Sequence, residues 1–196
     1  MNTAAQPVEH ITPVEYLEGE RVAEIRHEYV DGHVYAMAGA SDDHNRITAN
    51  LCGELRERLR SGPCEPFAMD MKVRIPPAFA EAFYYPDVMV VCDPGDNAKF
   101  YRERPTVIIE VLSPETERTD TREKAIAYRQ IPTVQAYVLV EQDKPKVTVL
   151  HRAETGWHKQ VLEGRDATLR LDCLGVAIPF ERIYERTAVL RSNPSP

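Results

Sequence analysis

The sequence predicts an α/β fold in which helices flank a mixed central sheet, with an added N-terminal hairpin and further strands towards the C-terminal end. Three observations carry this. Apolar runs of strand length, Tyr84 to Cys92 and Thr106 to Leu112, alternate with helical patterns; Ile47, Leu51, Leu55 and Leu59 recur at a four-residue interval; and turn dipeptides separate the units. With 196 residues the chain is long enough for one substantial core and too short for two ordinary domains. A single domain over 12–190 is expected, with flexible ends at 1–11 and 191–196.

Each element has a local reason. Thr12-Pro-Val-Glu15 combines a capping residue, a proline at the first helical position and a glutamate at the third, so a short helix begins there. Glu24 to Ala38 alternates around Asp31-Gly32, the dipeptide of tight hairpins. Ser41, Asp42 or Asp43 caps the Ile47 helix, and Ser61-Gly62-Pro63 stops it. A strand from about Phe67 to Ile75 places Met69, Met71, Val73 and Ile75 on one face and Asp70, Lys72 and Arg74 on the other, until Pro76-Pro77. The turn-rich Asp93-Pro-Gly-Asp96 separates the Tyr84 and Thr106 strands. Asp120-x-x-Glu123 has the pattern of a capping box and opens a helix that finishes before Pro132. Val134 to Glu141, Lys146 to Arg152 and Trp157 to Leu162 read as strands joined by short turns. The tail Ser192-Asn-Pro-Ser-Pro196 reads as disordered.

Hydrophobic residues at 43% and charged residues at 28%, with no apolar run near the length of a membrane span, predict a soluble protein without membrane association. The start, Met1-Asn-Thr-Ala-Ala-Gln-Pro7, carries no pattern of a secretory signal. Cys52, Cys64, Cys92 and Cys173 lack metal-type spacing, which argues against zinc and fits reduced thiols in the cytoplasm. The net charge of −7 counts against a nucleic-acid partner. Lys99, Arg102, Arg104, Arg118, Arg122 and Arg129 flank the candidate site in sequence, but Glu103, Glu115, Glu117 and Glu123 are interleaved with them.

The chemistry centres on Glu110. A carboxylate inside Thr106-Val-Ile-Ile-Glu-Val-Leu112 costs several kcal/mol unless it is paired. If the Asp87 and Glu110 strands pair antiparallel, both carboxylates fall at the same end. Two such groups repel each other, and a hard cation such as Mg²⁺, with Mn²⁺ as substitute, relieves this. Lys124, in the first turn of the following helix, would position water or offset phosphate charge.

Pro86-Asp87, Glu110-Val-Leu112 and Lys124 resemble the PD-(D/E)xK nuclease superfamily. Pro105-Thr-Val-Ile-Ile-Glu-Val-Leu-Ser-Pro-Glu-Thr116, the spaced Asp120, Lys124 and Tyr128, Ala136-Tyr-Val-Leu-Val140, and upstream Tyr29-Val-Asp-Gly-His-Val-Tyr35 with His44 are similar to a bacterial group of restriction endonuclease domains, the Uma-type family. This likeness runs from about residue 12 to 152. It implies a restriction-endonuclease-like fold, Asp87 and Glu110 as Mg²⁺ ligands, Lys124 as an aid to hydrolysis, His44 as a secondary catalytic participant and DNA as substrate. Leu112 departs from the pattern by standing where the superfamily has Lys, and the resemblance implies that Lys124 takes that role. Paired cuts would favour a homodimer.

Other readings compete at each position. Glu110 and Lys124 could form a structural ion pair, His44 lies on the inward stripe of its helix, and Glu28 reads as an exposed strand residue. Asp70 shares a polar face with Lys72 and Arg74. Tyr128, Trp157, Tyr84 and Tyr85 read first as packing residues. The rival function is a catalytically silent nucleic-acid-binding or assembly module; metal-dependent hydrolysis of another phosphate ester is a third. There is no GxxxxGK phosphate loop.

Overall fold

A computed structural model describes residues 10–76, 81–113, 117 and 119–191. The ends expected to be flexible fall mostly outside this range, as do Pro77, Glu115 and Arg118; the described Ile11 is tied by its N–H to the Gly32 carbonyl at 3.1 Å.

Helix α1 (Pro13–Glu20) opens on the expected capping box, with Glu15 accepting from the Thr12 N–H at 2.8 Å. Strands β1 (His27–Val30) and β2 (His33–Ala36) form the expected hairpin. Asp31 and Gly32 turn it with φ values of 44° and 85°, a conformation glycine adopts without strain. Ser41 is the cap of α2 (Asp42–Leu59), accepting from the His44 N–H. Next come β3 (Glu65–Ala68), β4 (Lys72–Ile75), β5 (Ala82–Tyr84), β6 (Val88–Val91), the two-residue β7 (Tyr101–Arg102) and β8 (Pro105–Leu112). A π-helical turn (Thr119–Lys124) runs into α3 (Ala125–Arg129). The expected strands β9 (Ala136–Glu141), β10 (Lys146–Ala153) and β11 (Gly156–Glu163) follow. The chain then adds β12 (Thr168–Leu171), a 3-10 turn (Asp172–Leu174), β13 (Val176–Pro179) and two short helices, α4 (Phe180–Ile183) and α5 (Ala188–Arg191).

The strands make a six-stranded mixed sheet in the order β11-β10-β9-β8-β6-β3, a five-stranded mixed sheet in the order β2-β1-β5-β4-β7, and the β12-β13 ribbon. β8 runs parallel to β9 and antiparallel to β6. Alternation along β8 sends Val107, Ile109 and Val111 to one core, with α2, α4 and the ribbon, and Ile108 and Leu112 to a second, shared with the five-stranded sheet and α3. Complete burial of these side chains contributes about 1.5–3 kcal/mol each. Among the described residues no helix is long and apolar enough to cross a membrane.

Four expectations are corrected. The strand from Phe67 to Ile75 is two strands in different sheets, broken where Met69 takes a φ of 60°. The Tyr84 to Cys92 run breaks at Pro86-Asp87 in the same manner, and the Met69 N–H donates to the Asp87 carbonyl at 3.1 Å, pinning the two crossings together. Asp120 is no helix cap but lies within the π-helical turn. Of the four cysteines read as thiols, Cys52 and Cys173 are free while Cys64 and Cys92 form a disulfide. The β3–β6 register sets Glu65 opposite Val91, which brings the next residues outward face to face.

Candidate active site

Asp87 lies at the point where the chain leaves the five-stranded sheet for the six-stranded one. The β6–β8 register, with Val88 opposite Ile109, carries it to the level of Glu110. The Asp87 N–H donates to Glu110 Oε2 at 3.1 Å, and Asp87 Oδ2 accepts from the Val111 N–H at 2.7 Å. Glu110 is 3% exposed, on the β8 face that also buries Ile108 and Leu112. Its Oε1 accepts from the Tyr128 hydroxyl at 2.8 Å.

The buried Lys124 ammonium lies among three carboxylates: Glu28 Oε1 at 2.8 Å, Asp120 Oδ1 at 3.3 Å and Glu110 Oε1 at 3.5 Å. The Tyr84 ring flanks it, 5.5 Å from Nζ to the ring centre. From the opposite side α2 brings His44, whose Nε2 is 3.3 Å from Asp87 Oδ2. The four residues singled out in the sequence, His44, Asp87, Glu110 and Lys124, thus meet in one place. Leu112 is buried in the apolar core.

Electrostatics follow from this crowding. Burial drives the Glu110 carboxyl well above its usual range; Lys124 opposes the rise, while Asp120, Asp87 and Glu28 add to it. Burial alone would lower Lys124, but Glu110, Glu28 and Asp120 outweigh it and hold the amine charged. Burial likewise works to lower His44, and the Asp87 carboxylate and Val111 carbonyl reverse it, so the imidazole sits above its ordinary value.

Three participants were missed or misread. Glu28, expected to be exposed, turns inward from β1 with its side chain 14% exposed. Asp120 is buried, and the Tyr137 hydroxyl donates to its carbonyl at 2.9 Å. Tyr128, read as packing, also holds Glu110. A sequence signal existed for Asp120 and Tyr128, both at four-residue steps from Lys124; Glu28 had only its place beside the hairpin. Asp70 is on the surface as expected, paired with Arg26. Trp157 packs on the second core and under the Arg152 guanidinium at 4.6 Å.

Three of the flanking cations are engaged within the protein. Arg104 pairs with Asp93 at 2.9 Å, Arg129 Nε donates to the Ala125 carbonyl, and the Arg102 guanidinium lies 4.6 Å from the Phe67 ring centre.

The donor set suits a hard cation in chemistry and charge. Glu28, Asp87, Glu110 and Asp120 place four carboxylates around Lys124 and His44, and Mg²⁺ is commonly held by one or two carboxylates while keeping several waters. Among the described residues no group of three or more His, Cys, Asp or Glu side chains is arranged as a ready-made metal cage.

Residues 13–181 match the family model described as "Uma2: Putative restriction endonuclease". An uncharacterized protein of Synechocystis sp., slr1290, is 32% identical over 189 residues, covering 95% of this chain and 98% of its own length. A second uncharacterized Synechocystis protein, sll1609, is 37% identical over 135 residues, 67% of this chain and 75% of that one. In fold the chain is similar to a crystal structure from Anabaena variabilis described as a putative nuclease belonging to DUF820, with a TM-score of 0.67, 14% identity, and coverage of 83% of this chain and 91% of the other.

Proposed function

Since the chain belongs to the Uma2 family of putative restriction endonucleases, we propose that it is a Mg²⁺-dependent endonuclease hydrolysing phosphodiester bonds of DNA. One observation carries the reading: Asp87, Glu110 and Lys124, from three separate elements, converge where two sheets meet.

Asp87 and Glu110 would hold the ion, which when bound polarises a phosphoryl oxygen and lowers the pKa of water. Tyr128 and the Asp87 N–H fix both oxygens of Glu110, so the carboxylate keeps one orientation through the reaction. Lys124 presents a buried positive charge to the phosphate as negative charge grows on it. His44 orients Asp87 from α2. Paired cuts in a duplex favour two active sites acting together, and a homodimer would supply them.

Supercoiled plasmid incubated with purified protein and Mg²⁺ or Mn²⁺ tests this. Nicking should fall at least about 100-fold in Glu110→Ala and Asp87→Ala, the scale of losing a group that stabilises the transition state. Equal nicking by wild type and both variants would assign the activity to a contaminant.

The silent-module reading draws support from Leu112, buried in the core, and from the net charge of −7. Calorimetric titration with Mn²⁺ separates the two. A working site binds saturably and loses this in Asp87→Ala; a silent module shows no such binding.

A further inference from the structure

Lysine carries a point charge on a flexible four-carbon stem, so its placement depends on what surrounds the amine. Asp120, four residues back on the same π-helical turn, and Glu110, on the underlying strand, are contacts of 3.3 and 3.5 Å. Glu28 is different in origin and closer. It comes from β1 of the five-stranded sheet, hydrogen-bonded on both sides by β2 and β5, and its Oε1 is 2.8 Å from Nζ. The same oxygen accepts from the Tyr85 N–H at 3.3 Å, which ties the carboxylate to the start of the β5–β6 crossing. With the Tyr84 ring of β5 flanking the amine, this ion pair draws it from the six-stranded layer towards the other sheet.

We infer that Glu28 is a positioning residue for the reaction, holding the Lys124 ammonium off Glu110 so that amine and carboxylate both face the substrate phosphate. Without it, Lys124 closes on Glu110 and Asp120, and the charge meant for the phosphate is spent within the protein. The inference rests on the endonuclease reading above.

Glu28→Gln keeps the shape and an oxygen for the Tyr85 N–H, and replaces a charged partner of Lys124 with a neutral one, leaving Glu110 and Asp120 to draw the amine. In plasmid and oligonucleotide cleavage it should lower kcat about 100-fold, the cost of misplacing a reacting group by about 1 Å, with KM unchanged. A merely structural role would not divide kcat from KM in this way. Added to Lys124→Met, the same change should cause no further loss, because both act through one amine. Glu28→Asp, which keeps the charge, should fold and show an intermediate kcat. Wild-type kcat in Glu28→Gln, or losses that multiply with Lys124→Met, overturn the inference. Should the wild-type protein cleave nothing, the endonuclease reading fails, and nitrogen-15 NMR of the Lys124 ammonium decides the placement separately. Slow proton exchange in the wild type that is lost in Glu28→Gln supports the pinning, and unchanged exchange refutes it.

Discussion

The main-chain N–H of Asp87 donates to Glu110 Oε2 at 3.1 Å, so a backbone dipole joins two acids whose charges repel. The bond needs an oxygen acceptor on residue 110 and does not need its charge. Glu110→Gln keeps one oxygen for the Asp87 N–H but gives up the charged acceptor of Tyr128, so it should cost about 1.5–3 kcal/mol in urea unfolding while losing cleavage. Glu110→Ala removes the acceptor for both Asp87 and Tyr128 and should cost about 3–5 kcal/mol. A glutamine variant as unstable as the alanine one would contradict this account.

Tyr128→Phe tests the other oxygen. The hydroxyl donates to a buried carboxylate at 2.8 Å, and a bond to a charged group contributes about 1.5–3 kcal/mol. A loss of that size is expected in thermal or urea melts, together with lower kcat as Glu110 gains freedom.

Burial raises Tyr84 from an ordinary value of 10.0 to about 12, with Glu28 adding and Lys124 subtracting. Because the folded value lies above the unfolded one, the stability tied to the neutral phenol is complete below pH 10 and is lost as pH rises through about 12. Alkaline titration of tyrosinate absorbance should show a step at that pH that disappears in Tyr84→Phe. An unchanged titration curve in the variant would remove the assignment.

The Cys64–Cys92 bridge closes a sequence separation of 28, for which chain entropy predicts about 3–4 kcal/mol of stabilisation. Reduction, or Cys64→Ser, should lower the melting temperature. Thiol titration of the oxidised protein should count only Cys52 and Cys173, with the exposed Cys173 reacting first.

The sequence revealed the parts of this molecule governed by short-range rules. The Thr12 capping box, the Asp31-Gly32 turn, the α2 stripe and the alternation along β8 all depend on residues a few positions apart, and each formed as expected. The antiparallel pairing of β6 and β8 was enough to bring Asp87 to Glu110. What it hid were decisions made between sheets. Phe67 to Ile75 has unbroken alternation, and nothing local marks Met69 as the residue where the chain changes layers. Glu28 looked exposed because a strand pattern cannot tell which neighbouring layer its polar face will meet. Asp120 imitated a helix cap because Asp-x-x-Glu is a local pattern that does not report how the turn containing it is wound. The cysteines misled because sequence distance hides a cross-strand pair.

The widened turn at Thr119–Lys124 carries a consequence for the chain's tolerance of length changes. A π-helical stretch accommodates one residue more than regular winding would, and such stretches are frequent at functional sites. Excising a single residue between Asp120 and Lys124 would let the segment relax to ordinary α winding and rotate Asp120 by about 100° relative to the amine. With Lys124, Tyr128 and the rest of α3 kept in their seats, the Asp120 carboxylate would then turn away from the ammonium it now meets at 3.3 Å. A change of one residue in length would thus alter the charge around Lys124 without touching either core.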